Sequence, residues 1–203
     1  MTITKPSGVV SGDVMVFFWW TTDSALLVGD PGWNTNFVHA VTLDGDSHRA
    51  EVHTKVAGGS EPANYTWNIG AGTGQKLGVI LAYRYVHATQ PSVSAGSTLG
   101  VTTGTHVQPA ITPLQGNSML VYAWMFNRDG GGAFSLGSIS GSPGGMTQRF
   151  FQDFSSVSRQ DLGVAVYDEI WPPIGPTGMR SLTTTNTDVS SVGLQAVIRA
   201  QGT

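Results

Sequence analysis

Few side chains in this sequence are able to do chemistry, and their spacing argues against most reaction types. The five histidines, His39, His48, His53, His87 and His106, include no His-Glu-x-x-His pattern. His48 and His53 fall on opposite faces of an extended strand, so they do not make a zinc pair. Asp44-x-Asp46 and Asn127-x-Asp129-Gly130 begin like calcium loops but lack the later acidic ligand, and read as turns. Asp168 and Glu169 are neighbours, and neighbours in a strand point to opposite faces, so they cannot serve as a facing acid and base. A capping or solvated role is expected for both. Gly70-Ala71-Gly72-Thr73-Gly74-Gln75-Lys76-Leu77 has neither the spacing nor the hydroxyl of a phosphate loop. In Gly137-Ser138-Ile139-Ser140-Gly141 an isoleucine stands where a nucleophilic serine would have to be. The sequence therefore predicts no catalytic residue, no metal site and no cofactor.

The aromatic residues carry the one binding chemistry of note, because a sugar stacks its apolar C–H face on an exposed ring. Trp33, Tyr65, Trp67 and Trp171 lie in or beside turns and are the candidate carbohydrate-binding residues; the competing role for them is to plug the open ends of a sandwich. Trp19, Trp20 and Trp124 lie within strand-like runs and belong to the core.

The elements that position these residues are written twice. Val10 to Thr22, VSGDVMVFFWWTT, is echoed by Leu114 to Phe126, LQGNSMLVYAWMF, with Gly12 and Gly116, Met15 and Met119, and Trp20 and Trp124 each 104 positions apart. At period two this places Val16, Phe18 and Trp20 on one face and Leu120, Tyr122 and Trp124 on the matching face. Further matches follow in order: Pro31-Gly32-Trp33 with Pro143-Gly144-Gly145-Met146, Glu51-Val52-His53-Thr54 with Gly163-Val164-Ala165-Val166, and Leu77-Gly78-Val79 through Arg84 with Val192-Gly193-Leu194 through Arg199. A period near 110 residues is too long for a solenoid and suits two half-domains, about 1–90 and 105–203, that share one core.

Val14 to Thr22 is apolar on both faces, as a central strand covered on both sides would be. Met1 to Gly12 is an extended arm. Phe37 to Leu43 and Arg49 to Ala57 flank an Asp44-Gly45-Asp46 turn as a hairpin. In its returning strand Ala50, Val52, Thr54 and Val56 face the core, while Glu51, His53 and Lys55 face water. Ala88 to Pro113 joins the halves, and Asp129 to Gly145 is a glycine-rich loop. No stretch has a helical period. The expected architecture is all-β, a jelly-roll-like two-sheet β-sandwich built from two duplicated halves in a single domain, 1–203. An immunoglobulin-type sandwich comes second, being normally shorter and leaving the repeat unexplained.

Composition narrows the partners. Charged residues make up 11% of the chain, against roughly 25% in an average soluble protein, and 27 of 203 residues are glycine. A net charge of −3 and the lack of clustered Lys and Arg argue against gripping nucleic acid. With no apolar run of the ~18 residues that a spanning helix needs and no apolar core in MTITKPSGVV, neither a membrane partner nor a signal peptide is expected. Zero cysteines exclude disulfides and thiol chemistry. A surface this poor in charge lacks the repulsion that keeps monomers apart, so a homo-oligomer is expected.

The pattern Lys5-Pro6-x-Gly8-Val9-Val10-x-Gly12-Asp13-Val14-Met15-Val16, followed by Pro31-Gly32-Trp33, Tyr65-Thr66-Trp67, Ala82-Tyr83-Arg84 and Val197-Ile198-Arg199-Ala200, resembles minor structural proteins of tailed bacteriophages over nearly the whole chain. The resemblance implies a β-sandwich module that decorates a capsid or belongs to a tail, located in the virion and partnered by other virion proteins. It carries over no catalytic residue. The glycine-rich loop from Asp129 to Gly145 departs from the pattern. A β-sandwich that recognises a host-surface glycan through the loop aromatics is the alternative.

Overall fold

The computed structural model describes residues 1–24, 27–28, 32–43, 46–70, 74–87, 93–99, 104–128, 135–141, 145–154, 161–172, 174–185 and 189–200. The Asp44-Gly45 turn, and Pro31, Pro143 and Gly144 of the matched Pro-Gly segments, lie outside those residues. The first half supplies β1 (Thr2–Thr4), β2 (Val14–Thr21), β3 (Leu27–Val28), β4 (Asn34–Leu43), β5 (Asp46–Val56), β6 (Asn64–Thr66), β7 (Asn68–Ile69) and β8 (Lys76–Tyr83). After β9 (Val93–Leu99) come β10 (Thr105–Gln108), β11 (Ser118–Arg128), β12 (Leu136–Ser140), β13 (Thr147–Phe154), β14 (Asp161–Trp171), β15 (Arg180–Thr184) and β16 (Val189–Ile198). The fold is the all-β sandwich that the sequence predicts, with every named pairing antiparallel.

Two large sheets form the centre. Their strand orders are β4-β5-β2-β8 and β13-β14-β11-β16-β9, so the first four strands of the second sheet repeat the order of the first, element for element. Smaller sheets cover the outer faces: β1-β6 with β3-β7 on one side, β10-β15-β12 on the other. β10 corresponds to β1, β12 to β3, and β15 to the broken strand β6 and β7. Among the described strands, only β9 has no counterpart. Even a defect is duplicated: the β4/β5 register slips between Thr35 and Phe37, and β13/β14 slips between Gln148 and Phe150. Such a bulge is a specific feature of a strand, and finding it twice ties the halves together.

Between the large sheets, Val14, Val16, Phe18 and Trp20 of β2 pack in one cluster with Val121, Ala123 and Met125 of β11 and Val192, Leu194 and Ala196 of β16. β5 crosses β16 while β14 crosses β8, contacts that exchange when the halves exchange. This corrects the face assignment. Leu120, Tyr122 and Trp124 point away from the shared core, under β10 and β15, where Met15, Phe17 and Trp19 of the first half point under β1 and β6. The structural partner of Trp124 is Trp19, 105 positions back, and both tryptophans lie across the ladder from a glycine: Trp19 from Gly78 and Trp124 from Gly193. The strand-entry turns agree, since Gly12 (φ 90°) and Asn117 (φ 54°), also 105 apart, both take the left-handed conformation that suits Gly and Asn. β14 shifts likewise: Trp19 pairs with Glu51 and Trp124 with Ala165, two positions beyond the residue that the sequence match gives.

Two further expectations change. Glu51 and His53 are buried, because the outer layer covers the face expected to be wet. The glycine-rich stretch from Asp129 to Gly145 contains β12, and the segment joining the halves contributes β9 and β10.

Candidate functional site

The polar groups collect in three places. The first lies at the start of β2, where Asp13 follows the left-handed Gly12 and accepts a hydrogen bond from the backbone N–H of Val10 (2.9 Å). Arg84, just past β8, donates to both Asp13 carboxylate oxygens at 2.9 Å and to the Gly8 carbonyl at 2.7 Å. The Arg84 hydrogen bond holds the Asp13 carboxyl below its ordinary range, aided by the Val10 N–H and the charge of Arg84 and opposed by burial. The second half repeats the device in neutral form, with Arg199 donating to the Gln115 side-chain oxygen at 3.0 Å, again onto the turn that enters its central strand.

The second group spans the two halves. Arg149, at the bulge of β13, donates to Asp168 of β14 at 2.7 Å, and Tyr83 of β8 donates to the same oxygen at 3.1 Å. Burial, and then the Asp168 charge, raise the Tyr83 phenol well above its ordinary value, so it stays protonated as a donor. A groove of about 270 Å3 opens here between Leu81, Ala82, Tyr83, Arg84, Arg149 and Asp168. A second, of about 570 Å3, continues past Arg84 along Tyr85, Val86 and His87. In the first half the positions of Arg149 and Asp168 are held by Asn36 and Thr54, joined by a 2.7 Å hydrogen bond.

The third group has the outline of a catalytic relay. Thr35 Oγ1 meets His53 Nδ1 at 3.2 Å, His53 Nε2 meets Glu51 Oε2 at 2.7 Å, and Arg49 donates to the other Glu51 oxygen. Burial would raise the Glu51 carboxyl, but the hydrogen bonds from His53 and Arg49 and their attraction hold it below its ordinary value. The counterpart positions decide how to read it. Gln148 and Tyr167 stand where Thr35 and His53 stand, and Tyr167 donates to Gln148 at 2.8 Å. The same cross-strand contact is thus made by a pair without an imidazole, and Glu51 is replaced by Ala165, so the two halves share the contact and not the relay. The contact pins an edge strand.

The four aromatic candidates do not form one surface. Tyr65 and Trp67 are fully buried and Trp33 half-buried, packed edge to face and tilted at 5.2 to 5.9 Å, with Phe17 stacked on Trp67 at 4.2 Å. Trp171 belongs to the other half, lying under the Arg180 guanidinium 5.2 Å from its ring centre. Only part of Trp33 offers a ring to solvent.

Asp168 and Glu169 do point apart, but neither is solvated. Glu169 takes the Arg180 Nε–H at 2.6 Å in a fully buried pair. Among the described residues no group of three His, Cys, Asp or Glu could hold a metal ion, and no helix is long and apolar enough to cross a membrane. Sequence reasoning passed over the Asp13–Arg84 and Arg149–Asp168–Tyr83 groups, although Asp13, Tyr83 and Arg84 all sit in the pattern quoted for the phage resemblance. No family model, no curated protein and no solved structure matches this chain.

Proposed function

We propose that this chain is a non-enzymatic structural component of a tailed-phage virion, a module on the capsid surface or the tail that acts through protein–protein contacts. One observation carries the reading: three of the sheets end in edge strands, β4, β9 and β12, that contain no Asp, Glu, Lys or Arg. Charge is one guard against open N–H and C=O groups recruiting other strands, and bulges are another; β4 and β12 each carry a register shift, while β9 has neither charge nor shift. Several charged groups instead pair with one another under the outer layers, Arg180 with Glu169 fully buried and Arg49 with Glu51 and Lys55 with Glu61 largely so. The resemblance to phage structural proteins supplies the setting.

The test is the protein content of purified particles washed in ~1 M salt, where the Debye length is ~3 Å and charge-steered contacts weaken. Retention at a fixed copy number is expected, and absence from particles at any salt overturns the proposal. Trp33→Ala checks the glycan alternative. Host adsorption should be unchanged, and its loss with unaltered melting would transfer the function to sugar recognition.

A further inference from the structure

Exchanging the halves leaves one of the described strands without an image. β9 runs antiparallel along the edge of β16, from Val93 opposite Val197 to Leu99 opposite Ser191, and it also covers β4 across the sandwich. The image of β16 is β8 and the image of β4 is β13. A strand related to β9 would therefore lie along the free edge of β8 and over the inner face of β13. Among the described residues no strand pairs with that edge of β8.

The two sites differ as an occupied and an open slot would. Every residue of β16 is buried, whereas in β8 Lys76, Gly78, Leu81, Ala82 and Tyr83 are partly exposed. On β13, Phe154 pairs with Leu162 of the shared core, which puts it on the inner face, yet it is 45% exposed. Its counterpart Val41 packs against the core under β9. The groove between Leu81, Ala82, Arg149 and Asp168 opens at the Leu81–Ala82 end of this edge.

We propose that the free edge of β8 is a strand-acceptor site, which takes an extended, uncharged segment of another protein chain antiparallel to β8 and over Phe154. The filled site defines the chemistry of the guest. β9 reads Val-Ser-Ala-Gly-Ser-Thr-Leu, small and hydroxylated residues without charge, so affinity comes from main-chain hydrogen bonds and close approach. By the repeat, seven guest residues pair with Lys76 to Ala82, with a small residue opposite Gly78 as Ser97 lies opposite Gly193. The site deepens the contact reading above and rests on it only for the identity of the guest.

The experiment uses the full chain and a capped synthetic peptide of sequence Ser-Val-Ser-Ala-Gly-Ser-Thr-Leu-Gly, with hydrogen exchange followed residue by residue. At ~1 mM peptide, alternate amides from Lys76 to Ala82 should exchange at least about tenfold more slowly, with β4 and β16 unchanged. A peptide N-methylated at alternate residues should give no protection. Phe154→Ser should weaken binding several-fold, and Val38→Ser, on an exposed edge position, should not. Unchanged exchange in β8, equal binding by the N-methylated peptide, or protection elsewhere overturns the proposal. Those results would leave the virion reading standing, and absence from particles would leave the acceptor site standing.

Discussion

The two halves share a backbone and disagree about what fills it. In the first, the outer layer is aromatic and apolar: Ile3 lies over Gly78, and Tyr65 and Trp67 pack on Phe17. In the second, the positions of Ile3 and Tyr65 are held by Gln108 and Arg180, both fully buried. The ion pairs are reversed in sign, Lys55 with Glu61 at 3.1 Å in one half and Glu169 with Arg180 at 2.6 Å in the other. Register, bulge and turn conformation survived where side-chain chemistry did not. A ladder fixes the first set collectively, since a one-residue slip turns every side chain to the wrong face. An outer layer can be refilled one contact at a time.

The largest effect tests whether the halves need each other. Residues 1–90 alone would expose Val14, Val16, Phe18, Trp20, Ala50, Val52 and Val79, all buried against the second half or its neighbours. At ~25 cal/mol per Å2 of apolar surface, that loss exceeds the ~5 to 15 kcal/mol by which a domain is stable. The fragment should show no cooperative monomeric melting transition. A sharp one, with dispersed amide signals, would make each half a domain in its own right.

Next come the ion pairs. Glu169→Ala leaves the Arg180 guanidinium buried without its carboxylate and should cost about 3 to 5 kcal/mol in urea unfolding. Lys55→Ala removes a partly exposed cation, side chain 17% accessible, and should cost about 1 kcal/mol or less. Equal costs would erase the difference between the two layers.

A third contrast is in pH. His106 has Met1 as its counterpart, so only the second half carries an imidazole there. Burial pushes the His106 imidazole down to about 4, where it sits between Ser191 (2.8 Å) and Thr184 (3.2 Å). Its pKa is lower folded than unfolded, so the unfolded chain takes up the proton first as pH falls. The stability of neutral His106 is complete above the ordinary value near 6.5 and is lost as pH falls from there to about 4. The loss amounts to roughly 3 kcal/mol, and His106→Gln should flatten that part of the profile.

How much of this was legible depended on phase. Strand β2 was plain, because a short apolar run rich in Val, Phe and Trp and bounded by turn residues reads as a covered central strand. The same property hid its register: a run apolar on both faces has no polar residue to mark which side is which, and with Trp19 and Trp20 adjacent either one could match Trp124. Identities chose 104; the left-handed Gly12 and Asn117, which differ in type, show 105. Glu51, His53 and Lys55 read as a wet face because alternation tells polar from apolar, and cannot tell a solvated charge from one paired beneath a second layer. Strand β9 was not legible, because the Ser, Thr and Gly of Val93 to Leu99 read as part of the segment joining the halves; among the described strands it is the one that the repeat leaves over.

The smallest effect sharpens the comparison most, because it concerns one hole filled in two ways. The three atoms nearest to a Cβ on Gly193 would all belong to the Gln108 amide, at 2.5 to 2.6 Å, while one on Gly78 would meet Ile3 Cδ1 at 2.5 Å and the Phe17 ring at 2.7 Å. Each Gly→Ala should cost about 1 to 3 kcal/mol from overpacking. Their remedies should differ. Gln108 donates to the Ala123 and Leu194 carbonyls at 3.0 and 3.4 Å, so displacing it breaks those bonds, and it supplies all three of the atoms nearest to the added Cβ. In a Gln108→Ala background, Gly193→Ala should therefore cost under about 0.5 kcal/mol, a coupling nearly as large as the single effect. Ile3→Ala should rescue Gly78→Ala only in part, because the Phe17 ring, stacked on Trp67 at 4.2 Å, stays in the way. Two double-mutant cycles in urea measure both couplings. Full rescue in both halves would mean that the outer strand alone sets the hole, and that the aromatic stack of the first half yields as readily as a single glutamine.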